Sequence, residues 1–137
     1  MNHFYAGGFF YNSDAKEILL HKRDDKTTKY PNKWAFFGGS SEEGETPVDT
    51  FIREIQEELG VRLRNEEVKP LYDYFNPEFA THRNIFYVLR QTKKEEMTLG
   101  EGADFDWIPL NMVVTYDLTP STLKDITYFV NLNKHEI

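Results

Sequence analysis

Residues 39–61 read GSSEEGETPVDTFIREIQEELGV, and their centre is a helix with both ends marked. Thr46 stands as an N-cap, Pro47 suits the first helical position, and Asp49 lies at the capping-box position three residues on. Val48, Phe51, Ile52, Ile55 and Leu59 recur at helical spacing, and Gly60 is placed to end the element. At about 100° per residue these apolar side chains share an arc of roughly 100°, the usual core stripe. Glu54, Glu57 and Glu58 fall in a second arc beside it, related by i+3 and i+4. The spacing predicts a helix over Pro47–Leu59 on which three carboxylates converge.

Such an arrangement has a cost. Like charges at these spacings destabilise an isolated helix by a few tenths of a kcal/mol per pair. All three lie toward the C-terminal half, where the helix dipole disfavours negative charge. Within the helix no Lys or Arg follows four residues later on that face. A solvated acidic face would read the same way. If a cation compensates, hard oxygen donors in this number suit Mg²⁺ or Mn²⁺ rather than zinc.

Working outward, the chain before the helix reads as strands. His3 to Tyr11 is apolar and aromatic, and Asn12-Ser13-Asp14 is a turn. Glu17 to Arg23 is a second strand, followed by a polar loop, Asp24 to Lys33, and the short apolar segment Trp34 to Phe37. After the helix, Val68 to Phe75 and Ile85 to Gln91 read as an antiparallel hairpin, its longer connection holding Asn76-Pro77 and the polar Thr81-His82-Arg83. A charged turn, Lys93 to Glu96, leads to Met97–Leu99, and Asp104 to Ile108 is another strand candidate. Thr119 caps a closing helix over Pro120–Leu132, with Leu123, Ile126, Thr127 and Val130 as its inward face. This interleaving implies one α/β domain over residues 1–137, an α/β/α sandwich around a mixed β-sheet.

Composition narrows the partners. With 23 acidic against 16 basic residues the net charge is −7, which disfavours a nucleic-acid polymer, whose binding rests on clustered Lys and Arg. There is no cysteine, hence no disulfide and no thiolate site. No run of eighteen apolar residues or signal-like start is visible, so the expectation is a cytoplasmic protein without a membrane span. A homodimer is left open.

The segment from Gly39 to Val61 resembles the signature of the Nudix hydrolases: Gly, five residues, Glu, seven residues, Arg-Glu, an aliphatic, any residue, Glu-Glu, any residue, Gly, an aliphatic. Gly39, Glu45, Arg53, Glu54, Ile55, Glu57, Glu58, Gly60 and Val61 fill every specified position. The resemblance implies that Glu54, Glu57 and Glu58 hold catalytic divalent cations, with Mg²⁺ or Mn²⁺ as cofactor. It implies that Arg53 and Glu45 form an ion pair orienting them. Gly38 and Gly39 would let the backbone approach a metal or phosphate, with the Gly39 carbonyl as a further ligand. Leu99-Gly100-Glu101-Gly102 resembles the loop that in some members adds a carboxylate, as ligand or general base, with Asp104 and Asp106 as alternatives close by. Arg23 resembles a basic residue that contacts substrate phosphate. Many members carry Pro where Phe37 stands, which unsettles any transfer of substrate preference.

The reaction implied is hydrolysis of a diphosphate linkage in a small nucleotide derivative, with water attacking phosphorus. The substrates in view are a nucleoside triphosphate, an oxidised nucleotide or a nucleotide sugar. Selectivity is expected outside the signature: Arg23 and Phe37 are substrate-side candidates, beside Gly38 and the signature's own Gly39, and Tyr5, Tyr72, Phe75 and Phe79 could stack on a base. His82 reads as surface or pocket rim without a metal role. The alternative reading is a non-catalytic Nudix-like module sensing a nucleotide sugar or ADP-ribose. The intact glutamate set argues against it.

Overall fold

Strand β1 (Phe4–Asn12) is buried without a break from Ala6 to Tyr11, as a central strand covered on both faces must be. It ends where Asn12 Oδ1 accepts from the amides of Asp14 and Ala15, closing the expected turn. In this computed structural model, which describes residues 3–100 and 102–133, β1 organises the whole sheet. Its first half pairs antiparallel with β4 (Phe37–Ser40) and its second half with β2 (Glu17–Lys22). Along the other edge it runs parallel to β6 (Thr81–Leu89). Strand β2 also takes β3 (Trp34–Ala35) and β7 (Asp104–Pro109), while β5 (Lys69–Asn76) forms a hairpin with β6. The path is β3-β2-β1-β6-β5, with β4 joining β1 and β7 joining β2.

Alternate side chains of β1 point to opposite faces, and each face has its own helix. Ala6 and Phe10 pack with Phe51, Ile55 and Leu59 of α1 (Pro47–Leu59). Phe9 and Tyr11 pack with Ile126 and Phe129 of α2 (Pro120–Leu132). The result is the α/β/α sandwich around a mixed sheet that the sequence implied. Helix α1 carries the anticipated caps: Asp49 N donates to Thr46 Oγ1, Thr46 N donates to Asp49, and Gly60 takes the left-handed conformation at φ 70°.

Two readings change. Strand β6 begins at Thr81, so the hairpin connection is only residues 77–80. Thr81-His82-Arg83 looked like a polar connection because its inward residue is charged; Arg83 is buried through a partner on α2. That partner alters the second reading. The buried face of α2 is Thr122, Asp125, Ile126 and Phe129, whereas Leu123 is 44% exposed and Thr127 is exposed. An aspartate on the inward face hid the true periodicity.

Candidate active site

The three helix glutamates sit on one flank of α1, yet each meets a different neighbour. Glu58 is buried, and Gly38 N–H donates to its Oε2 at 3.0 Å. Glu54 lies flat against β4: a Cβ at Gly39 would fall 2.1 Å from its Oε1, so only glycine permits this approach. Glu57 is 56% exposed and accepts from Arg53 Nη1 at 3.3 Å. The convergence is looser than the wheel suggested. Among the described residues no group of three or more His, Cys, Asp or Glu is drawn tightly enough to hold an ion as it stands. The donor set still fits a hard cation, since it offers carboxylate oxygens beside glycine backbone that a side chain would block.

Arg53 binds the preceding loop to this flank. Its Nε and Nη2 donate to the two oxygens of Glu45 at 2.7 and 3.1 Å, a forked pair, and Nη2 also donates to Ser40 O at 3.0 Å. Glu45 further accepts from Thr50 Oγ1 and from Glu42 N, both at 2.8 Å. The Arg53 hydrogen bond holds the Glu45 carboxyl down at about 2 and pushes the Arg53 pKa up. The ion pair implied by the sequence is present and reaches farther than expected. Nη1 also lies 3.7 Å from Glu54, so the basic partner of the glutamates sits four residues before Glu57 rather than after it.

A cavity of about 1070 Å³ opens at the end of the sheet, with Arg23, Gly38 and Glu58 among its lining residues. It thus joins the acidic flank to a space large enough for a nucleotide-sized molecule. The half-exposed rings of Phe75 and Phe79 stand at its rim, Lys29 Nζ lying 5.7 Å from the Phe79 ring centre.

The NUDIX domain family matches residues 1–128 of this chain. The chain belongs to that family. As a member it is a pyrophosphohydrolase-type enzyme. It is 29% identical over 125 residues to a nucleoside triphosphatase, NudI, of Escherichia fergusonii, covering 84% of this chain and 88% of the relative. The Escherichia coli NudI is 30% identical over 124 residues, covering 83% and 87%. In fold, the chain is similar to the solution structure of the E. coli ORF135 protein, with a TM-score of 0.78, 19% identity and coverage of 98% and 94%.

Within this Nudix chain the substrate-side candidates separate. Arg23 lines the cavity, its Nε donating to Lys29 O at 3.1 Å. Phe37 does not: it is fully buried in the core beneath α1, stacked on His21, and that corrects its reading as a substrate surface. Tyr72 is also turned away, stacked on Tyr128 with its hydroxyl on Asp125. His82 lies at the cavity wall with Asp73, 2.6 Å away. Asp104 faces Lys94 and Asp106 is exposed, both outside the cavity lining. Glu101 lies outside the described residues.

Three lining residues carried no site reading in the sequence, or only a loose one. Tyr5 is half-buried, and desolvation of its hydroxyl raises the pKa to about 12. His21 Nε2 donates to Phe36 O at 2.9 Å, Nδ1 has no partner among the described residues, and burial lowers its pKa to about 4. Arg83 is the third. Strand alternation could have revealed it: Arg83, Ile85 and Tyr87 share one face with Tyr5 and Phe9.

Proposed function

We propose that this Nudix hydrolase cleaves the diphosphate linkage of a small nucleotide, with Mg²⁺ or Mn²⁺ held by Glu54, Glu57 and Glu58. The observation that carries the reading is Glu58, which belongs both to the acidic flank of α1 and to the cavity wall beside Gly38. The NudI relatives, named as nucleoside triphosphatases, favour a nucleoside triphosphate over an oxidised nucleotide or a nucleotide sugar. The net charge of −7 also favours a small substrate over a polymer.

A bound cation would offset the charge of the diphosphate oxygens and make a water easier to deprotonate. The chain's own groups do the rest. Arg23 takes a substrate phosphate at the cavity wall. Arg53 and Glu45 hold the flank in place. Gly39 leaves room for Glu54 and offers its carbonyl as a further ligand. A carboxylate, from the flank or from Glu101, accepts the proton as water adds to phosphorus. The products are a nucleoside monophosphate plus pyrophosphate or a phosphorylated second moiety.

The test is a panel of nucleoside triphosphates, oxidised nucleotides, nucleotide sugars, ADP-ribose and dinucleoside polyphosphates, incubated with Mg²⁺ and with Mn²⁺. Release of a nucleoside monophosphate from at least one compound is expected. Folded protein that turns over none of them contradicts the proposal.

A further inference from the structure

Arg83 and Asp125 form an ion pair that neither the sheet nor the hydrolytic chemistry requires. Asp125, on α2, is fully buried, and its Oδ2 accepts from Arg83 Nε at 2.9 Å. Its Oδ1 accepts from Tyr72 and Tyr74 hydroxyls at 2.7 and 2.9 Å. A buried pair of this kind contributes little net stability, because desolvating two charges offsets their attraction. What it does provide is a fixed guanidinium. The Arg83 group lies 4.4 Å from the Tyr5 ring centre and 5.9 Å from that of Phe36, two rings of the cavity lining.

The sheet register says where this group stands. Tyr74, Arg83, Tyr5 and Ser40 are cross-strand partners on β5, β6, β1 and β4, so they form one row across the same face. Arg83 is two strands from Ser40, about 10 Å at the usual strand spacing. Gly38, which donates to Glu58 of α1, lies on the same strand β4 two residues from Ser40, paired with Gly7, and it lines the same cavity as Tyr5 and Arg83. Phosphates belong beside Gly38, and the Arg83 end lies at a nucleoside's remove. Asp125 already balances the Arg83 charge, so the pair is a poor magnet for another phosphate.

We propose that Arg83, held by Asp125, selects the nucleobase by donating to an exocyclic keto oxygen, O6 of a purine or O4 of a pyrimidine. This rests on the nucleotide-hydrolase reading above. A guanidinium carries five N–H donors and no acceptor. Nε goes to Asp125 and the Tyr74 hydroxyl also meets the guanidinium, which uses only part of the five donors of a residue that lines the cavity. A keto oxygen pairs with those that remain. An amino group in the same place meets donors with a donor, and both stay unpaired, which is the situation in which polar sites discriminate most strongly.

The experiment compares base pairs of equal size: inosine against adenosine triphosphate, and uridine against cytidine triphosphate. The wild-type kcat/KM is expected to favour the keto member of the accepted pair by about 10- to 100-fold, the range of one charge-assisted hydrogen bond. Arg83→Gln removes the pair and can also unfold the chain by leaving Asp125 unbalanced. Arg83→Lys keeps the charge beside Asp125 but cannot also reach the base, so it is the fold-preserving arm. In Arg83→Lys the ratio is expected to collapse toward one while the amino-base triphosphates keep their rate. Metal-free binding of inosine and adenosine monophosphates, measured by calorimetry, is expected to show the same loss of preference. A fall shared equally by all four bases would make Arg83 a phosphate contact or a purely structural residue and overturn the proposal. An unchanged ratio overturns it too. If no nucleotide is turned over, the hydrolase reading fails first, and equal binding of the two monophosphates then removes this one separately.

Discussion

At the scale of single residues, Arg53 and Glu57 share one signature and differ in what they support. Arg53 is 23% exposed and Glu45 16%, so their pair lies between the surface case and the buried one. Exposed pairs contribute about 0–1 kcal/mol, and breaking a buried pair on one side costs roughly 3–5 kcal/mol. Arg53→Ala is therefore expected to lose about 2 kcal/mol of stability and, by releasing the glutamate flank, much of its turnover. Glu57→Gln should leave stability within about 0.5 kcal/mol, since its contact with Arg53 is exposed and long. Its turnover should fall by orders of magnitude. Denaturant melts and turnover on both variants check this, and an Arg53→Ala protein with both quantities unchanged refutes the clamp. A pH arm follows from Glu45. Its folded pKa of about 2 lies below the ordinary value of 4.5. The stabilisation is thus fully present above about pH 4.5 and is lost as pH falls toward 2. Arg53→Ala should flatten the stability curve over that window.

At the scale of elements, what was legible depended on how local the signals were. Helix α1 was readable to the residue because Thr46, Pro47, Asp49 and Gly60 all act within a turn of its ends. Thr46→Ala should cost about 1 kcal/mol by removing the cap. Gly60→Ala should cost about as much through backbone strain alone, because the nearest atom to an added Cβ is 4.0 Å away. Melting curves of the two variants check both, and a neutral Gly60→Ala would show that the left-handed cap is not under strain. Strand β6 and helix α2 were harder. The polar start of β6 and the aspartate in α2 make sense only once Arg83 and Asp125 meet, 42 residues apart in sequence. Phe37 was misplaced for a similar reason: only the crossing of β4 onto β1 decides which face it joins.

Over the whole molecule, the acidic flank was legible as a motif, whereas the cavity that Glu58 lines was not. Its wall draws on loops, strands and both helices from His3 to Thr122, and no local pattern marks those residues as neighbours. The same assembly buries His21 as a neutral ring with a pKa near 4, against the ordinary 6.5. The unfolded chain takes up that proton first as pH falls. Stability is accordingly full above about pH 6.5 and declines toward pH 4, by on the order of 2–3 kcal/mol. His21→Gln should remove most of that slope in melts between pH 4 and 7; an unchanged slope would assign it elsewhere. The central claim is that carboxylates on α1 serve phosphate chemistry through a divalent cation. Its most direct test is turnover of the accepted nucleotide by wild-type protein stripped with a chelator and then titrated with Mg²⁺ or Mn²⁺. Turnover is expected to vanish on stripping and return with added metal, and full turnover in the metal-free sample would contradict the claim.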